Sequence, residues 1–197
     1  MINPDLAAAL SFVKVFLRNP AQVGALAPSS KTLASKMVTD LDLGAGDSIL
    51  ELGPGTGAVT RQIHAILPTE TTYLGIEREP KFVKLLDKRF PDLNFITGTA
   101  ERAKQLCKQE QCPPAKAIIS GLPFSSLPGQ VREEIISSID QLMTSGSIFR
   151  TFQYVHAYPL PSAIKFRNEM RSRFGHHRRS KVVFKNLPPA FILTWQR

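Results

Sequence analysis

The chain has 197 residues, 43% of them apolar, with 25 Lys/Arg against 16 Asp/Glu and a formal net charge of +9. That length supports one domain with a full hydrophobic core. No run of about 18 apolar residues occurs, so no spanning helix is expected, and Asp5 without a basic n-region predicts no secretory leader. Two cysteines, Cys107 and Cys112, have neither a second pair nor a nearby histidine. They read as reduced structural thiols in a cytoplasmic protein, ahead of a mutual disulfide or a metal site. The charge is unevenly placed: residues 151–197 hold nine Lys/Arg and one acid, Glu169, while residues 1–150 are nearly balanced. Such a bias suits an anionic partner, either nucleic acid or an acidic membrane surface, or else a solvated basic face.

In chain order, "NPDLAAALSFVKVFLRNP" predicts a helix from about Pro4 to Leu17, with Asn3 as its cap. Ser11, Lys14 and Arg18 form its narrow polar stripe; the other positions are mostly apolar. At about 14 residues it is too short to cross a bilayer. It either packs on the domain or lies in a membrane interface. A turn at Pro28 leads to a second helix capped by Ser29 or Ser30. From there strands and helices alternate. "SILELG", "TTYLGIE", "LNFITGT", "AKAIISGLP" and "GSIFRTFQYV" read as strands. "AVTRQIHAIL", "EPKFVKLLDKRF", "AERAKQLCKQ" and "PGQVREEIISSIDQLM" read as the intervening helices. This alternation predicts right-handed βαβ units and a parallel sheet. At the end, "SKVVFK" and "AFILTWQR" are separated only by "NLPP", too short for a parallel crossover, so they are expected as an antiparallel hairpin.

The first strand runs into Glu51-Leu52-Gly53-Pro54-Gly55-Thr56-Gly57. Gly53-x-Gly55-x-x-Ala58 satisfies the dinucleotide fingerprint, which alone is weak. An acid two residues before the first glycine would repel a pyrophosphate but would welcome a cation. The second strand ends in Glu77, whose carboxylate can accept both hydroxyls of a ribose. The terminal antiparallel hairpin is foreign to the simple dinucleotide fold.

Residues 44–197 resemble the class I S-adenosylmethionine-dependent methyltransferases. The resemblance implies an α/β, Rossmann-like fold: a mostly parallel seven-stranded sheet with a C-terminal antiparallel hairpin, preceded by an N-terminal helical extension over residues 1–43. It implies S-adenosylmethionine as cofactor, held by Glu51, Gly53, Gly55, Gly57, Glu77, Thr99, Ala100 and Ser120, and no metal. Thr99 stands where the family often has Asp. The fourth strand ends Ser120-Gly121-Leu122-Pro123-Phe124, similar to the N-L-P-Y motif of amino-group methyltransferases, including rRNA adenine dimethylases. Gly121 occupies the amide position of that motif, so a side-chain acceptor for the target amine is missing.

Over nearly its whole length the chain also resembles the soluble bacterial phospholipid N-methyltransferases. The matching stretches are "FLRNPAQVGALAPSSKTLA", "ILELGPGTGAVT", "IISGLPFSSLP", "FQYVHAYPLP" and "NLPPAFILTWQR". The implied activity converts phosphatidylethanolamine towards phosphatidylcholine, with an rRNA or other nucleic-acid N-methyltransferase as the alternative. The implied placement is cytoplasmic and peripheral at the inner membrane face, through the first helix and the basic C-terminal region. Tyr154, His156 and Tyr158 alternate at the end of the fifth strand. If extended, they share one side, with aromatic faces for a methylated ammonium and His156 as proton acceptor. Leu122, Pro123, Phe124, Arg178 and Arg179 are the expected substrate contacts.

Overall fold

Short apolar strands between amphipathic helices build one sheet covered on both faces. The computed structural model describes residues 29–197; the helix expected near Pro4 to Leu17 lies outside them. The elements are α1 (Lys31–Met37), β1 (Ser48–Leu52), α2 (Ala58–Ile66), β2 (Thr72–Glu77), α3 (Pro80–Arg89) and β3 (Asn94–Thr97). A 3₁₀ turn (Ala100–Arg102) leads into α4 (Ala103–Gln109), then β4 (Ala115–Ser120), α5 (Gly129–Leu142), β5 (Met143–Tyr154), α6 (Pro161–Phe174), β6 (Arg178–Arg179) and β7 (Ala190–Gln196). The strand order is β3-β2-β1-β4-β5-β7-β6. The first five are parallel, and β7 runs antiparallel to both β5 and β6. The expected Rossmann-like sheet of seven strands is present. Its order reverses between β1 and β4, which opens a ligand crevice at their carboxyl ends.

Every residue of β1 is buried, as a central parallel strand requires. Leu50 and Leu52 pack with Ala103, Ile135, Ile139 and Phe166 of α4, α5 and α6. Ile49 packs on the opposite face with Leu33, Met37, Ile63 and Leu86 of α1, α2 and α3. Helix α1 is capped by Ser30, whose Oγ accepts the Leu33 N–H at 3.1 Å. Its Leu33, Ala34 and Met37 are buried in the core they share with the sheet. The buried Arg150 of β5 donates to the Met37 and Thr39 carbonyls, which ties the end of α1 to the sheet.

Two elements differ from expectation. Residues 161–174, to which the sequence pattern assigned no element, form α6; only Ala163, Phe166 and Met170 are fully buried there, a sparse apolar stripe. The strand expected at "SKVVFK" is instead Arg178–Arg179, with Val183 forming an isolated bridge to Ala190. Ser180 explains the shift. Its backbone still donates to the Ile192 carbonyl, but its Oγ accepts the Ile192 N–H in place of a ladder carbonyl. The ladder ends there, and the chain leaves as a loop.

Candidate active site

The site grows from the turn between β1 and α2. Gly53, Gly55 and Gly57 all have positive φ, at 71°, 58° and 83°. The turn is fastened on three sides. Gly53 N–H donates to Ile76 at the end of β2, Gly121 N–H donates to Leu52 of β1, and Arg89 donates to the Thr56 carbonyl at 2.6 Å. A Cβ on Gly55 would point into open space, so this backbone forms a cradle that a side chain would fill. The N-terminus of α2, which Gly57 caps without a side-chain hydrogen bond, adjoins the same turn.

Glu77 is the charged wall of this cradle. Its Oε2 accepts the Gly55 N–H and its Oε1 accepts the Glu79 N–H, both at 2.9 Å. Burial raises its pKa, opposed by these backbone hydrogen bonds. Glu51 behaves differently from a contact residue. It is 1% exposed, and its Oε2 accepts from Tyr73 Oη at 2.6 Å and Thr60 Oγ1 at 2.8 Å. Desolvation raises its pKa from 4.5 to about 7, despite the hydroxyl donors. Glu51 therefore braces α2 against β2 beneath the turn.

The remaining cofactor positions line the same edge. Gly98 N–H donates to the Glu77 carbonyl, which brings Thr99 and the buried Ala100 beside it. Ala100 gives an apolar wall for a base. Ser120 is fully buried, and its Oγ accepts the Leu122 N–H at 3.2 Å; it shapes the end of β4 rather than presenting a hydroxyl. A Cβ on Gly121 would stand 2.9 Å from the Gly53 carbonyl oxygen, so the two turns touch backbone to backbone. Leu122 and Pro123 are half-buried at the rim.

Two acids, no basic group in the Gly53–Gly57 turn and an open backbone cradle suit a cationic, phosphate-free nucleoside. The residues fit S-adenosylmethionine: Glu77 for the ribose, Ala100 and Thr99 for the adenine, and the glycine turn for the methionine part. Bound there, the cofactor supplies an electrophilic methyl on a sulfonium.

Three sequence expectations for the substrate side differ from the geometry. Phe124 does not offer a face to a ligand: it is buried, stacked on Phe166 at 4.4 Å and edge-on to Phe149. Tyr154, His156 and Tyr158 do not share a side, because β5 ends at Tyr154 and the chain turns through 155–159. Tyr154 packs with Phe152 on the α1 face of the sheet, and the exposed His156 stacks on it at 5.7 Å. Tyr158 packs on the α6 face against Phe191. Its ring already carries a cation, with Arg167 Cζ 3.7 Å from the centroid and Arg179 Cζ at 5.2 Å. Arg178 and Arg179 point to opposite faces, since Arg178 pairs with Thr194 and Arg179 with Leu193. Arg178 lines a cleft of about 390 Å³ with Lys36, Asp40 and Arg150, which Arg179 also borders while its guanidinium lies over Tyr158 and Phe191.

The cluster around Tyr158 also holds Arg167, which the sequence reading missed. Arg167 of α6 donates to Gln153 Oε1 at 2.8 Å, and the Gln153 Nε2 is buried without a partner. His177 Nε2 lies 3.4 Å from Tyr158 Oη; burial, then Arg167 and Arg179, lower its pKa, which keeps it neutral. Recognising α6 would have placed Arg167 one residue after a buried Phe166. Among the described residues, no group of three His, Cys, Asp or Glu side chains could hold a metal.

The model of the protein-L-isoaspartate (D-aspartate) O-methyltransferase family matches residues 8–96, a little under half of the chain, which includes the glycine turn and Glu77. An ornithine lipid N-methyltransferase of Singulisphaera acidiphila is 27% identical over 186 residues, which span 91% of each chain. A ribosomal RNA small subunit methyltransferase A of Chlorobium phaeobacteroides is 36% identical over 70 residues; that match spans 36% of this chain and a quarter of the relative's length. Among solved structures, a TehB-like SAM-dependent methyltransferase from Corynebacterium glutamicum superposes with a TM-score of 0.64 at 12% identity, over 99% of this chain and all of that one. With the acid-flanked turn, the strand-end Glu77 and the 3-2-1-4-5-7-6 sheet, these likenesses are to class I S-adenosylmethionine-dependent methyltransferases, whose fold the chain has.

Proposed function

We propose that the enzyme transfers methyl groups to the amine of a lipid headgroup at a membrane surface, phosphatidylethanolamine towards phosphatidylcholine. The observation that carries this reading is end-to-end similarity: the lipid N-methyltransferase relative aligns over 91% of both chains, whereas the rRNA methyltransferase relative aligns over a quarter of its own length. The site adds support. Gly121 leaves no side-chain acceptor for a flat base amine, and the Gly53 carbonyl 2.9 Å from its would-be Cβ leaves no room to add one. A flexible aliphatic amine needs only backbone carbonyls and alignment with the methyl group, and alignment alone is worth roughly 7–11 kcal/mol.

The amine headgroups of lipids also carry an anion, a phosphate in phosphatidylethanolamine. Arg167, Arg179 and neutral His177 gather around Tyr158 beside the end of β5, and the buried Gln153 Nε2 there lacks an acceptor. This group receives the anion. The reacting amine must be neutral, so its proton leaves to water before the methyl is transferred. Nucleic-acid methylation remains the second reading, favoured by the rRNA methyltransferase relatives and the basic C-terminal quarter.

The experiment offers methyl-labelled S-adenosylmethionine with vesicles of phosphatidylethanolamine, vesicles of ornithine lipid, or total RNA. Label in the phosphatidylethanolamine fraction is the expected result. Label only in the ornithine lipid moves the headgroup assignment, and label only in RNA overturns the reading.

A further inference from the structure

We propose that the loop between β6 and β7, residues 181–189, is a rigid wedge that inserts into an anionic lipid bilayer and sets the carboxyl edge of the sheet against it. The inference rests on the lipid-methylation reading and gives it a docking surface. Among the described residues, Phe184 and Leu187 are the most exposed large apolar side chains, at 79% and 83%. Both occupy the tip of this loop. Leu160 and Ile164, also exposed, stand at the start of α6, which follows the end of β5. Tyr154 of β5 pairs with Ala190 of β7, so both segments leave the sheet at the edge that carries the glycine turn.

The exposure is built into the loop. Asn186, between the two tip residues, is 3% exposed. Its N–H donates to the Val183 carbonyl, its Oδ1 accepts the Ser30 N–H at 2.8 Å, and its Nδ2 donates to the Pro188 carbonyl at 2.7 Å. Val183 N–H donates to Ala190 and Val155 N–H to Pro189, each at 2.8 Å, which closes the base of the loop. A polar residue turned inward thus holds two apolar neighbours outward.

The charge identifies the occupant. Lys181 and Lys185 are exposed beside the tips, and no carboxylate side chain occurs after Glu169. Lysines flanking apolar side chains suit an interface where stems lie in the acyl boundary and ammonium groups meet anionic headgroups.

The test uses the full chain with vesicles of phosphatidylcholine, with and without phosphatidylglycerol. A Phe184→Ser/Leu187→Ser variant should bind phosphatidylglycerol vesicles on the order of 30-fold more weakly than the parent chain. It should keep its activity on a short-chain, monomeric phosphatidylethanolamine. Unchanged vesicle binding overturns the wedge. Lost vesicle binding with no methyl transfer to any lipid by the parent chain upholds the wedge and overturns the lipid substrate. A second variant, Phe184→Trp, reads the tip directly against the buried Trp195. Its added emission should be that of a solvent-exposed indole without vesicles and should shift to the blue with them. Emission already blue-shifted before vesicles are added means that another segment of the chain covers the tip, and overturns the proposal.

Discussion

The two ends of the sheet's carboxyl edge are built on opposite rules. Around β1 and β2, polar groups are acidic, buried and fixed by short hydrogen bonds: Glu51 to Tyr73 and Thr60, Glu77 to two backbone amides. Around β5 to β7, polar groups are basic and answer to neutral partners: Arg150 to carbonyls and a hydroxyl, Arg167 to an amide and an aromatic face. The first region is complete in itself and complements a small cation. The second has surplus positive charge that an anion from outside would satisfy. On the proposed reading, one fold carries a cofactor half tuned for one sign and a substrate half tuned for the other.

The sharpest way to break the first half is Gly121→Asn. It restores the amide position of the N-L-P-Y motif on paper, but its Cβ would collide with the Gly53 carbonyl oxygen, which is backbone and cannot swing away. Cofactor affinity should fall at least about 100-fold, close to 3 kcal/mol by the tenfold-per-1.4 rule. Titration calorimetry with S-adenosylmethionine measures it. Affinity within threefold of the parent would mean that the two turns are not locked together.

The C-terminal quarter has its own weak point. Glu169, the single acid after residue 150, pairs with the 3%-exposed Arg132 at 2.9 Å and so joins α6 to α5. Glu169→Ala leaves a buried guanidinium unpaired and should cost about 3 kcal/mol of stability, read by urea unfolding. A loss under 1 kcal/mol would show that α6 is held by Phe166 and Met170 alone.

Glu51 sharpens the comparison through pH. Its pKa is raised in the folded chain, so the protonated form is favoured by folding. The resulting stability is fully present below pH 4.5 and is lost as pH rises through about 7, by about 3 kcal/mol in all. Glu51→Gln keeps an acceptor for Tyr73 and Thr60 but cannot ionise. Its unfolding free energy should lack that slope between pH 4.5 and 8. A slope equal to that of the parent would assign the titration to another group.

The cofactor half was legible from the sequence because its chemistry is local. Gly53 to Gly57 and Glu77 sit at strand ends that periodicity locates, and the terminal antiparallel pairing was legible although its first strand lies at Arg178–Arg179, before the stretch that the short break had pointed to. The substrate half was not legible because its chemistry is assembled by packing. Arg167 and Tyr158 meet only after α6 folds back on the sheet, and the apolar stripe of α6 is too sparse to announce a helix. The alternation of Tyr154, His156 and Tyr158 suggested a shared face, yet a strand's period holds only while the strand lasts, and β5 stops at Tyr154. Phe124 read as a binding residue from its motif, but a ring beside two other aromatic side chains is stabilised by burial against them.

The smallest expected effects are also the most discriminating, because each confines itself to one half. Glu77→Ala removes the acceptor of the Gly55 and Glu79 amides and of the ribose hydroxyls, and should weaken cofactor binding about 30-fold, since hydrogen bonds to charged groups are worth about 1.5–3 kcal/mol. Lipid affinity should not follow. Arg167→Gln removes the cation over Tyr158 while its amide can still reach Gln153, and should raise KM for the lipid about tenfold, within the range of about 0.5–2 kcal/mol for a partly buried cation–π contact joined to a headgroup contact. Cofactor affinity and kcat should stay within twofold. If Arg167→Gln weakened the cofactor as much as the lipid, the basic cluster would belong to the first half, and the division of the edge by sign would fail.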